Sequence, residues 1–215
     1  MNQRLALPIL LFVAILTGFA PAKIGVFEQN ADIGNPKVAG SSKFDPATNV
    51  YTMKGAGYNI WFERDEFQYL FRKLSGDFTV TADFAFVGTG TDPHRKVGWM
   101  VRESNAGDAS HLSAVLHGDG LSVLQWRVEK GKMMRDPEDE IFSKEKTFQT
   151  IQIERKGNNY IMRAAAKGAT LQEVGAHEME NLGKEVMVGL FICSHNPAVL
   201  EEAQISNVKI VSNNQ

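Results

Sequence analysis

Apolar side chains recur at every second position along most of the chain, and almost nowhere at the spacing of a helix face. The clearest stretch is Asp77 to Val87, where Phe78, Val80, Ala82, Phe84 and Phe86 alternate with Thr79, Thr81, Asp83 and Ala85. A strand written this way turns one side to a core and the other to water. The same alternation predicts strands at 50–53, 58–62, 67–74, 97–103, 112–117, 121–129, 150–155, 160–165, 186–193 and 203–211. Between them stand turn-forming groups such as Gly55-Ala56-Gly57, Ser75-Gly76-Asp77 and Gly118-Asp119-Gly120. Gly118-Asp119-Gly120 and Gly157-Asn158-Asn159 suit tight hairpins, because Gly and Asn accept the positive φ that such connections need. A short helix fits only within Asp136–Lys146, inside the charged stretch 133–146, which has no β pattern and reads as a solvated loop over one edge.

Many short strands joined by turns, with no helical crossover, imply an all-β fold of two antiparallel sheets packed face to face. A single β-sandwich domain is expected over residues 23–215. Residues 1–22 have a different character. Arg4, the apolar run Leu5 to Phe19 and the small-residue group Ala20-Pro21-Ala22 have the form of a secretory signal peptide cut after Ala22. The apolar run is too short for a membrane span, so the expected location is secreted or periplasmic, with no span after cleavage.

Charge and cysteine content narrow the partners. The 215 residues carry 23 Lys+Arg against 25 Asp+Glu, a net charge of -2, which offers no basic field for a nucleic-acid backbone. Cys193 is the one cysteine, so no intramolecular disulfide can form. The five His are scattered without zinc spacing, and no phosphate loop, dinucleotide fingerprint or G-x-S-x-G nucleophile is present, so no cofactor is expected. Calcium is the one metal considered, with Asp32 and Asp45 beside turns near the N-terminus as its candidate ligands, although Asp is also a common turn former.

Three strands carry the candidate chemistry. If Val97, Trp99 and Val101 point inward, Arg102 points outward with Gly98 and Met100. Leu112, Ala114 and Leu116 alternate with His111, Ser113, Val115 and His117, and Gln125 and Arg127 alternate with Trp126. One water-facing surface is therefore expected to combine Arg102, a His such as His111, and either Arg127 with Gln125 or Trp126. Such a surface suits a sugar, whose ring face stacks on indole while Arg, Gln and His bond its hydroxyls. The alternative is that Trp99 and Trp126 are core residues and the arginines sit in ion pairs. Asp65 and Glu66 are adjacent, so on a strand they face opposite ways and cannot serve one substrate as an acid/base pair. Asp65 is expected at a solvated strand start, bonding nearby amides.

The order of motifs resembles a bacterial secreted domain of unknown function with the concanavalin A-like lectin/glucanase fold. The likeness rests on Asp32-Ile33-Gly34-Asn35-Pro36-Lys37, Phe44-Asp45, Asn59-Ile60-Trp61, Asp65-Glu66-Phe67-Gln68-Tyr69, Gly98-Trp99-Met100-Val101-Arg102-Glu103-Ser104, Gln125-Trp126-Arg127 and Val188 to Asn196. The resemblance implies a two-sheet antiparallel jelly roll, of the type appended to glycoside hydrolases and TolB-type propeller proteins. Arg102, Arg127 and Ser194-His195-Asn196 fall in its motif strands, and it brings no catalytic set. The segment Ala164 to Thr170 departs from the pattern, lacking a Ser-x-Asp-Gly and the Trp that follows it.

The function expected from these residues is a non-catalytic module that binds carbohydrate through the outer face of one sheet, using Arg102, Arg127, Trp126, His111, His195 and Gln125. One alternative is a glycan-cleaving enzyme of the same fold, for which Glu103 with Asp65 is the one cross-strand acid pair on offer. Another is a module that binds a protein partner of the envelope.

Overall fold

The computed structural model describes residues 23–213, so the expected signal segment lies outside the described residues. With strands numbered in chain order, the first sheet runs β1 (Gln29–Ile33), β6 (Phe67–Ser75), β15 (Glu185–Cys193), β8 (Lys96–Arg102), β9 (His111–His117), β10 (Ser122–Arg127) and β11 (Glu140–Phe142). The second runs β14 (Gln172–Glu178), β13 (Asn159–Ala165), β12 (Thr150–Lys156), β7 (Phe78–Val87), β16 (Asn196–Ser212), β3 (Val50–Gly57) and β2 (Ser41–Asp45). The short strands β4 (Ile60–Trp61) and β5 (Arg64–Asp65) pair only with each other. Strand pairs are antiparallel throughout, which makes an all-β jelly-roll sandwich of the expected class.

Alternation places the core. Phe78, Val80, Ala82 and Phe84 of β7 are buried between the sheets, while Thr79, Thr81 and Asp83 are half-buried on the outer side. Trp99, Leu112, Ala114, Leu124 and Trp126 meet them from the first sheet, so both Trp belong to the core. Gly98 on β8 has a local reason: a Cβ there would sit 2.0 Å from the Ala114 carbonyl oxygen of the neighbouring strand.

The first sheet departs from the expected wet outer face. Every residue of β8, β9 and β10 is buried. A second apolar cluster lies on the side away from the main core and contains Ile33, Ile60, Phe67, Tyr69, Met100, Val115, Phe191 and the thiol-bearing Cys193. Ile60 belongs to the 58–66 segment, which is laid across this face and bonds to the strands beneath it, Gln125 Nε2 donating to the Ile60 carbonyl at 3.0 Å. Covering a sheet face with a strap lets its outward residues be as apolar as its inward ones.

No helix forms at 136–146. The wider 133–146 stretch places Met134 in the interior and adds β11 to the edge of the first sheet, where Leu124 pairs with Ile141.

Candidate functional site

Arg102, His111 and Arg127 do share one face, because Arg102 pairs with His111 across β8 and β9, and His111 with Arg127 across β9 and β10. Their expected exposure is corrected: all three are buried, Arg102 at 0% and Arg127 at 1% of their accessible surface. The strap supplies the reason. Asp65, also fully buried, accepts Arg127 Nη2 at 2.7 Å on one oxygen, and Arg127 Nη1 at 2.8 Å and Arg102 Nη1 at 3.1 Å on the other. Backbone carbonyls take the remaining donors: Ser104 and Ala106 for Arg102, and Phe62, Ala109 and Lys132 for Arg127. Two guanidiniums on one carboxylate thus tie the strap and two loops to the sheet.

Burial works against a charged Asp65, and the two guanidiniums override it, holding the carboxyl below its ordinary range. His111 has its Nδ1 3.6 Å from Asp65, and burial pushes it down to about 3, so the ring is neutral. The expectation that Asp65 starts a solvated strand is therefore reversed. Glu103 is exposed, so it forms no acid pair with Asp65.

Trp126 occupies the opposite face of β10 from Arg127 and stacks on His177, with ring centroids 3.7 Å apart and planes 10° apart. Asp32 and Asp45 lie on strands of different sheets. Both Asp32 oxygens accept the Gly40 N–H, at 3.1 and 3.0 Å, and Asp45 accepts from Ala47 N and Thr48 Oγ1. Both carboxylates thus serve turns, and no group of three or more His, Cys, Asp or Glu is placed to hold a metal among the described residues.

The same sheet face does open at its other end. Lys96 pairs with His117 across β8 and β9, on the side that Arg102 and His111 share, and the two form the floor of a cleft of about 360 Å³. Trp61 of the strap and Phe142 of β11 flank it, with Asn59, Gln125, Asp136, Glu140, His94 and His195 completing the polar lining. Two of the six expected ligand residues, Gln125 and His195, thus reach an open site, while Arg102, Arg127, His111 and Trp126 do not.

The cleft has an uneven electrostatic character. Lys96 Nζ donates to Asn59 Oδ1 at 2.5 Å, and burial lowers its pKa to about 8. Burial, helped by Lys96 and His94, lowers His117 to about 3, and neither of its ring nitrogens has a hydrogen-bond partner. His94 lies 5.7 Å from His195 and 5.8 Å from His117, centroid to centroid. Across the cleft, burial and the neighbouring Asp136 carboxyl raise Glu140 to about 7. Lys96 and His117 could have been placed from strand parity, since each lies an even number of residues from Arg102 or His111 on its own strand. Trp61 and Glu140 come from the strap and the edge strand, and no strand parity announces them.

No protein-family model matches the chain, and no curated protein matches its sequence. Solved structures do. A functionally unknown protein from Saccharomyces cerevisiae is similar over 87% of this chain and 98% of its own, with 16% identity and a TM-score of 0.61. The fold is concanavalin A-like. Alginate lyase A1-II' matches over 80% of this chain and 83% of its own, at 10% identity and a TM-score of 0.52. Lectin UEA-II complexed with galactose matches over 87% of this chain and 100% of its own, at 8% identity and a TM-score of 0.51. At such identities the likeness is one of fold. Among the described residues no helix is long and apolar enough to cross a membrane.

Proposed function

We propose that the protein is a secreted, non-catalytic module that binds carbohydrate in the cleft beside Lys96. The observation that carries this reading is the meeting of an accessible indole with amide, ammonium and imidazole groups around one opening. Trp61 offers apolar surface to a pyranose ring, and Asn59, Gln125 and Lys96 offer planar or charged partners to its hydroxyls. The fold shared with a lectin and an alginate lyase supports a sugar-handling role, and the Arg4 to Ala22 segment supports secretion. The test is a glycan array with the purified protein, followed by calorimetry on Trp61→Ala and Gln125→Ala. Trp61→Ala is expected to weaken binding about tenfold. A protein that retains no glycan, or a Trp61→Ala variant that binds as before, overturns the reading.

A second reading, cleavage of a glycan, has one observation of its own. Glu140, raised to about 7 beside Asp136, is poised to hold or release a proton in the same cleft. Release of shorter oligosaccharides that stops in Glu140→Gln would favour it over simple binding.

A further inference from the structure

Among the described residues, each buried arginine is held by a carboxylate or by several backbone carbonyls, and Lys96 is less well provided. Arg95 donates to Glu201 at 2.6 Å, Arg102 and Arg127 share Asp65, and Arg155 donates to the carbonyls of Gly157, Gly183 and Lys184. Lys96, a residue only 4% exposed, has one amide oxygen on Asn59 and a long 3.5 Å contact to the Ile60 carbonyl, and it forms no ion pair among the described residues. Its cross-strand neighbour His117, 8% exposed, leaves both ring nitrogens without partners. A buried ammonium without a counter-charge and a buried imidazole without a hydrogen bond are each costly, and here they stand side by side on the floor of an open cleft.

The carboxylates nearby do not discharge this pair. Asp92, on the loop before β8, faces His195 Nδ1 at 3.4 Å and accepts the His94 N–H at 2.7 Å. Asp119, in the hairpin between β9 and β10, accepts Lys146 at 2.6 Å and the Leu121 N–H at 3.0 Å. Glu140 and Asp136 crowd each other on the β11 side, where Glu140 is pushed toward its neutral form. From β15, Cys193 sits opposite Lys96, and burial raises its thiol to about 11, leaving it uncharged.

We propose that the cleft selects a negatively charged sugar, whose carboxylate or sulfate is held between the Lys96 ammonium and the His117 imidazole while Trp61 takes the ring. This rests on the sugar-binding reading above and gives it a ligand class. A neutral imidazole keeps one N–H to donate, and the ammonium gives a charge-assisted bond, so a planar or tetrahedral anion can engage both. His94 and His195 line the same cleft.

The test compares four ligands by calorimetry near pH 7 and low salt: an oligogalacturonate, its full methyl ester, a neutral galactan oligomer and that oligomer sulfated. The oligogalacturonate is expected to bind about tenfold tighter than its ester, and Lys96→Met to bring the two together. An advantage confined to the sulfated galactan supports the proposal with sulfate as the anion. Equal binding of neutral, esterified and acidic oligomers overturns the charge selection while leaving sugar binding intact, whereas no binding by any glycan overturns both. Lys96→Met removes a buried charge and so should fold. His117→Gln, which keeps one donor, should lose less acidic preference than His117→Phe, and full preference in both Lys96→Met and His117→Phe overturns the proposal.

Discussion

Arg127 grips Asp65 with both arms of its guanidinium, Nη2 to Oδ1 at 2.7 Å and Nη1 to Oδ2 at 2.8 Å, across 62 residues of sequence. The bond joins the strap to β10 of the first sheet, beneath the surface, where water cannot compete for either group. It explains why a face rich in polar residues is not open to ligand along most of its length.

Removing that carboxylate should be severe. Asp65→Ala leaves Arg102 and Arg127 buried without a counter-charge, and the expected loss is roughly 3–5 kcal/mol in chemical denaturation. Arg102→Ala should likewise lower stability, and any effect on glycan binding should follow from the displaced strap, visible as a change in denaturation midpoint. Unchanged stability in Asp65→Ala would mean the triad is not holding the strap.

Acid should weaken the fold early. His111 and His117 are held down to about 3, against an ordinary 6.5. Below that value the unfolded chain binds protons that the folded one does not, so stability falls as pH drops, by up to roughly 1.4 kcal/mol per pH unit for each ring. Asp65, also held low, adds to the loss once pH passes below the usual carboxylate range. Thermal melts between about pH 7 and 4 should decline steadily, and His117→Gln should flatten the slope.

Lys96 acts in the same direction, in a higher pH window. Its pKa is lowered to about 8 from 10.5, so the cost of its buried charge is relieved as pH rises between those values, and stability gains there. Loss of that charge should at the same time weaken acidic-glycan binding above about pH 8. Calorimetry across that interval in wild type and Lys96→Met checks both, the variant showing neither trend.

Gly98 admits no side chain. A Cβ 2.0 Å from the Ala114 carbonyl would force β8 and β9 apart. Gly98→Ala is expected to cost about 1–3 kcal/mol, measured by urea unfolding. A neutral result would show that the strands yield there.

Interior strands were readable because both their neighbours and their core contacts impose period-two patterning, as in β7, β8, β9 and β12. Within the two large sheets, the strands that patterning did not reveal, β1, β2, β11 and β14, are the four edges. An edge strand has one partner and less to bury, so its alternation is faint; β14 has no fully buried residue. The charged 133–146 stretch read as a loop for the same reason, although its residues Glu140–Phe142 close the edge on the Trp61 side of the cleft.

Side-chain alternation alone determined two antiparallel layers and set Gln125 and Arg127 on the side of their strand opposite Trp126, since parity is a local property, while the cross-strand register brought that side together with Arg102 and His111. Whether that face meets water was decided only in three dimensions, by where 58–66 comes to lie. A short segment outside both large sheets delivered the buried Asp65 to one end and an accessible Trp61 to the other. Covering costs nothing in the pattern of the strands beneath, so the pattern carries no trace of it, and the open end at Lys96 and His117 emerges only when the strap is in place.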